Sequence, residues 1–290
     1  MTSSFMRDDS TVISSFARTP MGSFQGAFDG ITSPELGAVA VRAAVERSGA
    51  PPDVINRIYM GCVLAAGLGQ APARQAALGA GLPVSVQAVT INKMCGSGMQ
   101  AMIMAAEALA AGSCDFVVAG GMESMTNAPY LVPKHRNGAR IGHGTVVDSM
   151  MLDGLEDAYA LGKPMGAFAE ASAQDYQFSR AAMDDYAAES LARARAAIER
   201  GAFVPEITPV TRRTRVAETQ VTVDEQPGKA NPDRIAKLKP AFAENGAITA
   251  ASSASISDGA AALVMTRRTL AETHGLPMVA QVVATAAHAT

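Results

Sequence analysis

Cys95 stands in Asn92-Lys93-Met94-Cys95-Gly96-Ser97-Gly98-Met99-Gln100-Ala101, between two apolar segments of different kinds. Val86-Gln87-Ala88-Val89-Thr90-Ile91 is short and rich in β-branched residues, and predicts a strand. Met99 to Ala111 is apolar on nearly every face and predicts a buried helix. Cys95 therefore falls on a tight turn between a strand end and a helix start, with flanking glycines to let the backbone bend. Unpaired amide hydrogens and the positive end of a helix dipole favour a thiolate over a thiol in such a place. The thiolate is a nucleophile, so the spacing points to covalent catalysis. A buried structural cysteine, the commoner fate of a free thiol, is the competing reading.

The elements needed to hold that turn are legible on either side of it. Ser10 to Ser15 reads as a first strand, ended by Ala17-Arg18-Thr19-Pro20 and a turn-rich Met21 to Gly26. Ser33-Pro34-Glu35 starts a helix that runs to about Ser48, with Leu36, Val39, Ala40 and Ala43 on one face. Ile55 to Met60 and Asp115 to Gly121 read as further strands. Strand, helix, strand, helix, strand is an α/β layered order. From about Met125 to Asn245, prolines, glycines and charges interrupt the pattern. One helix is clear there, Arg180 to Glu199, capped by Ser179, stopped by Gly201 and expected to be a solvated surface helix. Strand-like character returns at Ala247 to Ala250 and Ala260 to Met265, so a second unit is expected to be inserted into the first.

Composition narrows the function. With 290 residues, 48% of them apolar, the chain can bury a sizeable core. Its net charge of -3, without a basic run, and its lack of Trp argue against nucleic-acid binding. Cys62, Cys95 and Cys114 are odd in number and in no C-x-x-C spacing. They make neither a disulfide framework nor a zinc site, and fit a reducing compartment. Met1 to Ser10 is polar and carries Asp8 and Asp9, unlike a secretory signal. No segment has the apolar length of a membrane span, so the chain is expected to be soluble and cytoplasmic.

N-K-M-C-G-S-G-M-Q-A resembles the active-site cysteine motif of the thiolases, the acyl-CoA acetyltransferases that make or split 3-ketoacyl-CoA. The resemblance covers nearly the whole chain. Arg18-Thr19-Pro20-Met21-Gly22-Ser23-Phe24 matches the family's opening motif, and Gly67 to Gln75 its glycine-glutamine-arginine segment. Gly120-Gly121-Met122-Glu123-Ser124-Met125-Thr126-Asn127-Ala128-Pro129-Tyr130 is similar to its most recognisable run. Asp153 to Tyr159 with Met165-Gly166 resembles a coenzyme A-facing loop, and Ala241-Phe242 with Ser257 to Ala262 the return to the core.

The resemblance implies a layered α/β/α N-terminal half, residues 1–124 and 246–270, with a coenzyme A-binding loop domain inserted at 125–245. Cys95 would be the acyl-thioester nucleophile, with Leu155, Met165 and Phe242 lining a pantetheine tunnel. Ordinary core packing is the alternative for those three side chains. Substrates would be coenzyme A thioesters such as acetyl-CoA, with no permanently bound cofactor and no metal. The family's Asn and coenzyme A-contacting Ser are replaced by Ser252 and Ala254, with Ser253 and Ser255 as neighbouring substitutes. An arginine that follows the proline at Pro227 in relatives is replaced by Gly228-Lys229.

The family's Gly-His-Pro motif, Asn-Glu-Ala-Phe-like motif and second reactive cysteine do not occur in this sequence, and residues 271–290 read as the start of a C-terminal half. Three expectations follow. The chain is the first part of a thiolase, impaired on its own; or it works with a chain supplying the other half; or it is an inactive acyl-CoA-binding or oligomer-forming relative. Homo-oligomers are implied by the resemblance.

Overall fold

A computed structural model describes residues 9–288. The chain runs through β1 (Thr11–Arg18), β2 (Gly22–Ser23), α1 (Ser33–Ser48), β3 (Arg57–Gly61), α2 (Pro72–Gly79), β4 (Gln87–Ile91), α3 (Ser97–Ala110) and β5 (Phe116–Ser124). It then leaves the main sheet for β6 (Tyr130–Leu131), β7 (Val147–Asp148), α4 (Met165–Asp175), α5 (Arg180–Glu199), β8 (Val210–Arg213), β9 (Glu218–Val221) and α6 (Glu225–Lys229). It returns in β10 (Ser257–Arg267), followed by α7 (Arg268–Thr273) and β11 (Ala280–Gln281).

Seven strands form the main sheet, in the order β11-β1-β10-β5-β3-β4, with β2 paired to β10. The β5-β3-β4 side is parallel and the β1-β10-β5 side antiparallel. Period-two alternation sorts side chains to two cores. Ile58, Met60, Val118 and Val264 face α1 and α2, whereas Tyr59, Val117, Ala119 and Met265 face α3. Each fully buried aliphatic side chain in these layers contributes about 1.5–3 kcal/mol. The result is the mixed, layered α/β arrangement expected from the element order.

Helix α1 has the predicted limits. The Thr32 amide donates to Glu35 Oε2 at 2.8 Å, Pro34 occupies the first turn, and Gly49 ends it at φ 73°. Helix α5 also has its predicted limits, with Ser179 Oγ accepting from the Ala182 amide at 3.1 Å. It is largely solvent-exposed, as expected.

Two expectations need correction, and two helices were unexpected. Helix α3 is not buried all round: Ala101, Ala105 and Leu109 face the sheet, whereas Met99 is 68% exposed and Met102, Ile103 and Met104 are half-buried. No described element covers that outer face. Residues 247–250 are not a strand. The Ala247 and Ile248 amides instead donate to the Glu170 carboxylate, each at 2.9 Å, so a buried side chain takes the place of a neighbouring strand. Helices α2 and α4 were not foreseen, because alanine and glycine blur their amphipathic period. The expectation about Met1 to Ser10 rests mainly on residues 1–8, which lie outside the described residues, as do 289–290 of the terminal segment. Among the described residues no helix is long and apolar enough to cross a membrane.

Candidate active site

Strand β4 ends at Ile91 and α3 begins at Ser97, which places Cys95 on the turn at the carboxyl end of the parallel strands. The bend comes from Met94, at φ 49° in the left-handed region, rather than from the neighbouring glycines. Such a conformation in a bulky residue is strained and must be held. Asn92 Oδ1 accepts the Met94 amide at 3.0 Å, and Ser97 Oγ accepts the Lys93 amide at 2.8 Å. The Gly96 amide donates to Lys93 O at 3.1 Å. Lys93 Nζ is tied to Gln100 Oε1 at 2.7 Å. Cys95 is exposed, and its sulfur has no hydrogen-bond partner among the described residues.

The glycines near this turn serve close approach. A Cβ at Gly61, the last residue of β3, would lie 2.6 Å from Ser97 Cβ and 2.9 Å from Gly98 N. A Cβ at Gly121 on β5 would lie 3.5 Å from Gly98 Cα. The first turn of α3 thus rests directly on the backbones of β3 and β5, which fixes the height of Cys95 above the sheet.

Beside this seat the Glu123 carboxylate accepts the amides of Val63 at 2.8 Å and Leu64 at 3.1 Å. Burial pushes the Glu123 carboxyl above its ordinary range, against the pull of those two donors. Leu64 in turn packs under Gly154, where a Cβ would sit 3.3 Å from Leu64 Cδ2. The Leu155 turn therefore leans on the end of β3, and Leu155 is half-buried.

The remaining predicted residues fall in two places. Met165 opens α4 and is 45% exposed, and a Cβ at the next residue, Gly166, would collide with the Phe242 ring. Met165 and Phe242 are therefore brought to one place, anchored by Glu170 through Ala247 and Ile248. Ser253 and Ser255 line a separate groove of about 1020 Å³ between α5 and residues 226–238. Ser253 Oγ donates to Thr249 O at 2.6 Å, and Ser255 Oγ lies 2.8 Å from Ser257 Oγ. Ser252 Oγ is turned inward to accept the Thr249 amide at 2.9 Å. Leu155, Met165 and Phe242 do not line this groove.

Residue-level reading missed Glu123, Glu170 and the groove-facing side of α5, including Met183 and Tyr186. Their signal was weak: a single carboxylate inside an apolar run and an aromatic on a charged helix. Among the described residues no group of three or more His, Cys, Asp or Glu side chains is placed to hold a metal.

Of the three cysteines only Cys95 is exposed. Burial, helped by the Glu123 charge, pushes the Cys62 thiol up to about 12, and burial also raises Cys114. Brief iodoacetamide treatment of the native protein is therefore expected to add one label, lost in Cys95→Ala. Peptide mapping that found Cys62 or Cys114 labelled as fast as Cys95 would contradict this.

An exposed thiol on a strand-to-helix turn of a mixed α/β sheet defines a class of cysteine-bearing layered α/β proteins. Comparison with known proteins makes the class specific. Residues 11–269 match the thiolase N-terminal domain. The chain is 45% identical to acetyl-CoA acetyltransferase of Pseudomonas aeruginosa over 273 residues, covering 93% of this chain and 69% of the relative. It is 47% identical to acetyl-CoA acetyltransferase 2 of Arabidopsis thaliana over 270 residues, covering 92% and 66%. The Schizosaccharomyces pombe acetyl-CoA acetyltransferase is 43% identical, with 93% and 69% covered. The chain belongs to the thiolase family.

Proposed function

We propose that this chain is a thiolase-type acetyl-CoA acetyltransferase in which Cys95 carries the acyl group. The observation that bears most of the weight is the exposed Cys95 thiol on a turn held at the start of α3. The Cys95 thiolate attacks the thioester carbonyl of an acyl-CoA. A carbon–sulfur bond to Cys95 forms, the bond to coenzyme A breaks, and the departing thiolate takes up a proton. In synthesis a second acetyl-CoA loses a proton from its methyl carbon, and that carbanion attacks the acyl-cysteine, expelling the Cys95 thiolate. In degradation coenzyme A thiolate attacks instead.

Residues 125–245 are the coenzyme A-binding insert in this reading, and residues 1–124 with 246–270 the core. Leu155, Met165 and Phe242 line the pantetheine path by family resemblance. Ser253 and Ser255 border the groove for the rest of the carrier. No permanent cofactor is required. The protein acts in the cytoplasm, in fatty acid metabolism, as a homo-oligomer or with a chain supplying the missing family motifs.

Intact-mass measurement after exposure to acetyl-CoA tests the reading. A single acetyl adduct is expected, absent in Cys95→Ala. No adduct at high acetyl-CoA would refute acyl transfer by this chain and favour a protein that only binds acyl-CoA.

A further inference from the structure

One cation at the end of β1 ties the segments that follow α5 and precede α6 to the main sheet. Arg18 Nε donates to Glu206 Oε1 at 2.7 Å, while Nη1 and Nη2 donate to Asp224 Oδ1 and Oδ2 at 2.7 and 3.0 Å. Its guanidinium carbon lies 5.2 Å from the Phe203 ring centroid. Main-chain bonds reinforce the junction: Arg18 N donates to Glu206 O at 2.9 Å and Thr208 N to Arg18 O at 2.8 Å.

The clamped residues lead directly to the groove. Phe203 and Glu206 follow the end of α5, whose Met183 and Tyr186 line one wall. Asp224 immediately precedes α6, whose Gln226 and Pro227 line the other. The serine segment 252–255 feeds β10, where Ala261 is the register partner of Arg18. Across the groove itself, Arg195 donates to Pro227 O at 2.8 Å and Arg180 to Leu238 O at 2.8 Å, so the two walls are also bridged directly. Phe203, Ile207, Thr222 and Val223 border a solvent-open pocket of about 290 Å³ between the two clamped segments.

We propose that Arg18 is a positioning residue that fixes the groove's walls against the main sheet, and with them affinity for the coenzyme A part of the substrate, without touching Cys95. The affinity clause rests on the proposed function; the geometric clause does not.

Amide hydrogen exchange on the wild type, Arg18→Met and Arg18→Lys separates them. Methionine keeps an apolar stem, while lysine keeps the charge but not the bidentate fork. Exchange in 182–194 and 226–235 is expected to accelerate at least about tenfold in both variants, as for a truncated, partly buried charge pair. Helix α3 and the alkylation rate of Cys95 should stay unchanged, and added guanidinium ion should restore slow exchange to Arg18→Met. Calorimetric titration with free coenzyme A should give a Kd at least about tenfold weaker in both variants. Wild-type exchange in Arg18→Met, wild-type behaviour of Arg18→Lys, or acceleration spread equally through α3 would each overturn the proposal. If Arg18→Met does not fold, the lysine variant decides. If the wild type binds no coenzyme A while the exchange pattern appears, the proposed function fails and the positioning role stands.

Discussion

The purified chain is expected to make acetoacetyl-CoA from acetyl-CoA at least ~10²-fold more slowly than the Pseudomonas aeruginosa relative assayed beside it, because general-base and oxyanion groups each supply about that factor. The second half-reaction needs a base to remove a proton from the methyl carbon of acetyl-CoA. Among the described residues no side chain is hydrogen-bonded to the Cys95 sulfur to mark such a base. His143 and His288 are exposed on irregular segments. His274 lies edge-on to Phe116 with ring centroids 5.3 Å apart, and His135 Nδ1 is 3.3 Å from Pro133 O. Cys62 and Cys114 are both buried, and burial raises both thiols, Cys62 up to about 12. A slow chain that still acquires one acetyl group would locate the deficit in the condensation step. A rate within a few-fold of the relative's would overturn the prediction, and would require a base from a second copy.

The second large effect concerns the seat of Cys95. Gly61→Ala is expected to destabilise the protein by about 1–3 kcal/mol, the usual cost of overpacking a filled interior. The added Cβ would meet Ser97 C at 2.8 Å and Gly98 N at 2.9 Å. Those are backbone atoms, so no rotamer change relieves the clash and the first turn of α3 must lift. Cys95 would move with it, so the rate of acetyl-adduct formation should fall together with the urea midpoint. Gly228→Ala, with open space around its Cβ, is the control and should cost nothing of this kind. Unchanged stability and adduct rate in Gly61→Ala would show that the turn is not seated by β3.

Local sequence was enough for much of this architecture. The limits of α1 and α5 are written in Ser33-Pro34-Glu35, Ser179 and Gly201, because capping is satisfied by residues within a turn of the helix end. The strand-turn-helix around Cys95 was legible for the same reason, and the order of the family motifs carried the family. The conformation of the turn was not legible. Two glycines suggested the bend, yet Met94 makes it, while Gly61, Gly98 and Gly121 are matched because three backbones meet there.

What only tertiary structure decided are the relations across long sequence separations. Glu170 replaces a strand partner for residues 247–248, and Arg18 joins Glu206 and Asp224. The five expected substrate residues divide among a turn under Gly154, a contact with Gly166 and a serine-lined groove. Residue type and local spacing determine caps, strands and the turn that carries Cys95, since those depend on neighbours a few positions away. Which carboxylate meets which amide, and which apolar face stays open, depends on how the layers stack, and no local pattern encodes that distance.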